Sequence, residues 1–240
     1  MDSGKLILAT ASVAALATFY WLPKLIVNDN FLDRWPRILS RSTNEQSNRT
    51  KKIALTFDDL PYGSHAELVK KLNDFDMRAT LFVISGYVND NNRQVLIDAV
   101  KSGHDLGNHG RTNRRHASLS LADLESEIDD CDELIRSIYA EARMALPEIK
   151  TFRPGCGFFN DAMIKMVEQK GYRLTLGSVY PHDPHVPSGW INYYYLTWHI
   201  EAGDIVILHD RSWTLTMLDL LLPWMVKNGY ESVTVSELMG

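Results

Sequence analysis

The stretch Ile53-Ala54-Leu55-Thr56-Phe57-Asp58-Asp59 runs an apolar strand directly into two adjacent carboxylates. Side chains alternate across a strand, so at its end the two acids can take separate tasks, one holding a cation and the other taking a proton. A pair of acids is also a common turn former, and a strand end merely solvated by Asp58 and Asp59 is the plainer reading of the pair alone. Further strand-like runs lie at 79–84, in the 173–179 region, at 205–208 and at 232–235, with helical patterns between them. Ser64-x-x-Glu67 and Ser120-x-x-Asp123 have the form of capping boxes, and Asn160 is placed to cap a helix running through Met163 and Val167. Strand alternating with helix implies a parallel sheet, which either stays open or closes into a barrel; the pattern does not choose.

At 240 residues and 45% hydrophobic, the chain can bury the core of one α/β domain. A net charge of -5 and no Lys/Arg-rich block leave no field for nucleic acid, so a neutral polymer or small substrate fits better; a monomer is expected. Residues 6–22 form an apolar run ending in bulky Phe19-Tyr20-Trp21, which favours an uncleaved signal anchor over a cleaved signal peptide. The expected organisation is residues 1–27 as anchor or signal, 28–50 as a polar linker and 51–240 as the folded domain. This makes a membrane-anchored protein with its domain on the lumenal or extracellular side, or a secreted one if the leader is cleaved. Asn48-Arg49-Thr50 in the linker has the form of a glycosylation sequon.

Cys131 belongs to the series Leu121, Leu124, Ile128, Cys131, Leu134, Ile135, Ile138, whose spacing marks the buried face of a helix and makes it a core thiol. A bond to Cys156 is permitted but not required. The aromatic stretch Trp190, Tyr193, Tyr194, Tyr195, Trp198 suits sugar stacking, yet Tyr194 and Trp198 at four-residue spacing read as a core face, and packing is favoured for most of it.

Three further segments follow in order: Gly107-Asn108-His109, Thr151-Phe152-Arg153-Pro154-Gly155-Cys156-Gly157 and Asp204-Ile205-Val206-Ile207-Leu208-His209-Asp210. With Thr56-Phe57-Asp58-Asp59 they resemble the signature blocks of the polysaccharide deacetylases, the NodB-like carbohydrate esterases that remove N-acetyl groups from chitin, chito-oligosaccharides or peptidoglycan. The resemblance covers residues 51–240 and implies a distorted (β/α) barrel of about seven parallel strands, with its site at the C-terminal strand ends. It implies a hydrolase acting on an N-acetylglucosamine glycan, with Asp58 as general base, Arg153 orienting that base, His209 as general acid and Asp183 tuning the histidine, Asp210 being the weaker candidate. His182 and His185 flank Asp183 and are assigned to the loop.

The resemblance also implies a divalent metal, zinc first, with manganese, cobalt or magnesium as alternatives, held by Asp59 and His109. The family's second histidine falls at Asn113, a neutral oxygen donor better suited to harder cations. Water alone is the next candidate for that third position, then His116. On one straight helix His109 and His116 would stand ~10 Å apart, so His116 requires that residues 110–115 fold back as a loop. Gly155-Cys156-Gly157 replaces the family's Pro-Tyr-Gly, leaving the Cys156 backbone amide as the oxyanion donor, and Trp213 is a candidate sugar platform. The rival readings are a non-catalytic carbohydrate-binding member of the same fold and a hydrolase of a small amide or ureide.

Overall fold

The computed structural model of the chain describes residues 35–45 and 49–240. The chain divides into two compact units, Met1–Pro36 and Arg37–Gly240. All that follows concerns the second.

Its centre is β1 (Lys52–Leu60), buried from Ile53 onward because both of its faces are covered. Six further strands complete the described sheet: β2 (Ala79–Val83), β3 (Asp105–Asn108), β4 (Thr151–Phe152), β5 (Arg173–Leu174), β6 (Ile205–His209) and β7 (Glu231–Ser232). The order is β5-β4-β3-β2-β1-β6, with β7 pairing the start of β1, and every pair is parallel. Single bridges, Leu39 with Thr175 and Val179 with Val206, carry the pairing from the β5 side toward β6. The result is the curled, distorted (β/α) barrel that the resemblance implies, with strand C-termini at one end.

Seven helices connect and cover the strands: α1 (His65–Asp74), α2 (Arg93–Lys101), α3 (Leu121–Ala142), α4 (Asp161–Gln169), α5 (Gly189–His199), α6 (Ser212–Lys227) and α7 (Val235–Met239), counted among the described residues. Ser120 and Asn160 cap α3 and α4 by accepting from the backbone N–H of Asp123 and Met163. Ser64 does not cap α1 with its side chain; its own N–H donates instead to Asp210, at 2.7 Å. The run 232–235 is not one strand. Thr234 forms a capping box with Glu237, so the backbone turns into α7 at Val235. β3 and β4 escaped the periodicity because four and two residues are too short to show alternation.

Leu124, Ile128, Cys131, Ile135 and Ile138 form the buried face of α3, as their spacing predicts. Cys131 donates to the Val83 carbonyl at 3.2 Å, Cys156 is exposed, and both thiols are free. The core reading of Tyr194 and Trp198 is overturned: they are 53% and 78% exposed, while Asn192, Tyr195 and Leu196 bury the opposite side of α5.

The single-pass anchor is also corrected. Among the described residues no helix is long and apolar enough to cross a membrane. The apolar run 6–22 on which the expectation rested, and Asn48 of the sequon, lie outside the described residues.

Candidate active site

Thr56 and Asp58 are two apart on β1 and share one face, and Arg153 reaches both. Its Nη1 donates to Thr56 Oγ1 at 2.7 Å and to Asp58 Oδ1 at 2.6 Å. Nη2 and Nε donate to the carbonyls of Leu176 and Thr175, at 3.0 and 3.3 Å, and the guanidinium lies 4.0 Å from the centre of the Phe82 ring. The side chain that follows the two-residue strand β4 is thus buried and held on all sides. Burial alone would raise the Asp58 pKa, but Arg153, His109 and His209 outweigh it and hold the carboxyl below its ordinary value.

Strict alternation would turn Asp59 away from Asp58. The ladder with β2 slips between Phe57 and Leu60, however, and Asp59 takes a left-handed φ of 65°. Such a bulge re-aims a side chain, and left-handed backbone in a non-glycine residue is a strain typical of functional positions. Asp59 Oδ1 then lies 3.7 Å from His109 Nε2. The His109 Nδ1–H donates to the Arg153 carbonyl at 2.7 Å, which leaves the Nε2 lone pair facing the acid.

His209 ends β6 directly opposite Asp58 in the ladder, and its Nε2 is 4.0 Å from Asp58 Oδ2. Asp183, buried in the loop after β5, accepts from the His209 backbone N–H at 2.8 Å and from its Nδ1–H at 2.9 Å. Burial opposes the charged ring, but the Asp183 bond and the charges of Asp183, Asp58 and Asp59 prevail, so the His209 pKa is raised. Asp210 does not tune this histidine. Its carboxylate accepts from the backbone N–H groups of Tyr62, Gly63 and Ser64 and fixes the loop after β1.

Trp213 is half-buried and its indole N–H donates to the Asp183 carbonyl at 2.9 Å, so it buttresses the Asp183 loop. The His182 ring packs 4.4 Å from that of Tyr180, which in turn lies 6.0 Å from the His209 ring. Cys156 is exposed, with φ 60°, in the short turn between Gly155 and Gly157.

Residues 110–116 do fold back. Asn113 is exposed on this loop, and it is the His116 ring that comes to 6.2 Å from the His109 ring. The cause is Glu127, on the buried face of α3. Its carboxylate accepts from the backbone N–H groups of Arg111 and Thr112, from Thr112 Oγ1 and from Arg114. Glu127 was not singled out in the sequence, although a charge three residues after Leu124 and four before Cys131, inside an apolar stripe, marks such an anchor. His116 Nδ1 accepts the Gly155 N–H at 2.9 Å, while its Nε2 has no hydrogen-bond partner and stands 3.6 Å from Glu127 Oε2. Burial, and then the nearby His109, lower its pKa to about 4.

These side chains do not fit the implied metal. A backbone N–H can only donate, so His116 Nδ1 is the acceptor nitrogen and the ring's proton sits on Nε2, with no lone pair to offer an ion. Arg211 Nη2 donates to Asp59 Oδ2 at 2.5 Å, placing a guanidinium on the carboxylate assigned to the metal. Among the described residues no three His, Cys, Asp or Glu side chains converge to hold an ion. Arg211, directly after His209-Asp210, was missed in the sequence because nothing in the family blocks points to it.

Known proteins are similar to this chain in sequence and in fold. The polysaccharide deacetylase family profile matches residues 45–175. Peptidoglycan-N-acetylglucosamine deacetylase of Bacillus cereus is 33% identical over 204 residues, spanning 82% of this chain and 92% of that protein. A chitooligosaccharide deacetylase of Sinorhizobium fredii is 26% identical over 74% of this chain and 87% of its own. Among solved structures, peptidoglycan deacetylase PdaC of Bacillus subtilis superposes with a TM-score of 0.70 at 25% identity, covering 80% of this chain and 91% of the other. A family pseudoenzyme of Bacillus anthracis shares the fold with a TM-score of 0.69 at 22% identity, covering 80% of this chain and 66% of the other.

Proposed function

The chain belongs to the polysaccharide deacetylase family, and from that premise we propose that it hydrolyses the N-acetyl group of N-acetylglucosamine units in a glycan of the peptidoglycan or chito-oligosaccharide kind. The observation that carries this reading is Asp58 held between Arg153 and His209, with Asp183 behind the histidine. Amide hydrolysis needs a base for water, stabilisation of the oxyanion and a proton for the departing amine.

Asp58, kept ionised by Arg153, takes the proton from water as the oxygen attacks the acetyl carbon. His209 carries its proton on the nitrogen that faces Asp58 and delivers it to the amine as the C–N bond breaks. Asp183 fixes the ring and keeps it protonated, a positioning role. The Cys156 amide receives the oxyanion, and Trp213 offers a face to the sugar. Metal dependence is general in this family, but the donors of this chain do not fit zinc, manganese, cobalt or magnesium. The catalytic domain corresponds to residues 51–240.

The test is acetate release by the full chain from chito-oligosaccharides and from peptidoglycan fragments. Turnover that vanishes in Asp58→Asn supports the reading. Tight glycan binding with no acetate from either substrate favours the second reading, a glycan-binding member of the fold, to which the incomplete metal donor set points.

A further inference from the structure

Asp59 is 3% exposed, and one of its oxygens is committed to Arg211 at 2.5 Å. The guanidinium is itself held: Nη1 donates to the Asp210 carbonyl at 2.9 Å, and its central carbon lies 4.3 Å from the centre of the Tyr62 ring. Tyr62 is in turn fixed by the Asp210 carboxylate, which accepts its backbone N–H at 2.6 Å. One short segment, Asp210-Arg211, therefore sets both the loop after β1 and a positive charge beside Asp59. Only Asp59 Oδ1 stays open beside His109, and the guanidinium fixed on the other oxygen puts a positive charge, screened from water, where a divalent cation would have to approach.

The remaining donors point the same way. His116 has spent its acceptor nitrogen on Gly155, and Asn113 is exposed. His109 alone retains a lone pair facing Asp59. A histidine and an acid already bound to arginine do not make a site that competes for zinc.

We propose that the Arg211 guanidinium takes the place of the divalent ion, as the fixed cation that faces the acetyl oxygen. The proposal rests on the deacetylase reading above. A guanidinium carries several N–H donors in a rigid plane, so with one on Asp59 and one on the Asp210 carbonyl others remain for a ligand oxygen. Water oxygen bonds to the acetyl carbon while its proton passes to Asp58, and the carbonyl electron pair moves onto the oxygen that Arg211 and the Cys156 amide receive. Collapse of that adduct breaks the C–N bond, the His209 proton goes to nitrogen, and the free amine leaves with acetic acid, which gives up the second water proton to solvent as acetate. Solvent takes the Asp58 proton and restores that of His209, so one water is consumed.

The experiment titrates zinc and manganese chlorides into the full chain by calorimetry, for wild type, Arg211→Met and Arg211→Lys, each checked for folding by its melting curve. Wild type and Arg211→Lys should bind neither ion detectably, and Arg211→Met, with Asp59 released beside the open Nε2 of His109, should take up zinc weakly but measurably. Acetate release by wild type should persist in EDTA, fall about 100-fold in kcat for Arg211→Met with little change in KM, and survive in part for Arg211→Lys. A wild-type chain that takes up one zinc tightly, or whose activity EDTA abolishes and zinc restores, overturns the proposal. If Arg211→Met does not fold, the wild-type and Arg211→Lys titrations still decide. If no form releases acetate, the deacetylase reading falls, while the wild-type titration still judges whether Arg211 excludes the metal.

Discussion

Asp183 grips His209 twice, one oxygen on the backbone N–H at 2.8 Å and the other on the ring Nδ1–H at 2.9 Å. A carboxylate that holds both the strand end and the imidazole sets the ring's direction and its charge together. Asp183→Asn keeps the shape and removes the charge. The His209 pKa, raised in the native protein, should then fall, because burial is no longer outweighed. Since the acid is needed in its protonated form, the alkaline limb of kcat/KM should move to lower pH by about one unit. An unmoved limb would mean that Asp183 does not tune the acid. For stability, a raised histidine pKa contributes fully below the unfolded value near 6.5 and is lost as pH rises through the folded value.

Asp58→Asn removes the proposed base and leaves Arg153 buried without its counter-charge. Activity should drop by about 10³-fold or more, and unfolding in urea should come earlier by about 3–5 kcal/mol. Pairing it with Arg153→Met should return part of that stability without returning activity. A double variant no more stable than Asp58→Asn would show that the two groups are not coupled. The Asp58 contribution, from a depressed pKa, is present above the unfolded value and lost as pH falls through the folded one.

His104 and His116 should make the fold sensitive to mild acid. Each ring accepts a backbone N–H on Nδ1, from Ala79 and Gly155 respectively, and burial lowers each pKa to about 4. The unfolded chain takes up these protons near pH 6.5 and the folded chain refuses them, so stability should erode from pH 6.5 down to about 4, by about 3 kcal/mol per site. Melting temperature followed across that range, in wild type and in His116→Gln, reads the effect. A wild-type profile flat between pH 7 and 5 contradicts it.

Glu127 ties the 110–116 loop to α3. Glu127→Gln weakens the bonds to Arg114, Thr112 and the two backbone N–H groups, at a cost of about 2 kcal/mol, since the Arg114 side chain is half exposed. Arg111, Arg114 and Arg115 should become markedly more sensitive to trypsin, with cleavage mapped by mass. Unchanged cleavage would mean that the loop is held by something other than Glu127.

Gly155 sits where an added Cβ would stand 2.1 Å from the Arg114 carbonyl oxygen. Gly155→Ala should push the 154–157 turn off the 110–116 loop and break the bond to His116. The expected readouts are a lower melting temperature and loss of the low His116 pKa by NMR titration. A variant as stable as wild type would show that the turn can move without cost.

Residue order alone determined a good deal of this protein. The apolar run into Asp58-Asp59, the Arg-Pro turn and the histidine ending β6 were legible because each sits at the end of an element whose pattern is local, and parallel strands gather their C-termini at one place. Asp183 came from the resemblance, which implies an acid in the loop before β6 and was met by the one that follows Tyr180-Pro181-His182. Tertiary structure alone decided what the acids face. The bulge and left-handed φ at Asp59 turn it toward His109, Glu127 draws in a loop from seventeen or fewer positions away, and Arg211 reaches Asp59 across 152 positions of chain. A side chain's partner in such cases is set by backbone irregularity and by packing between distant segments, and neither leaves a period in the sequence.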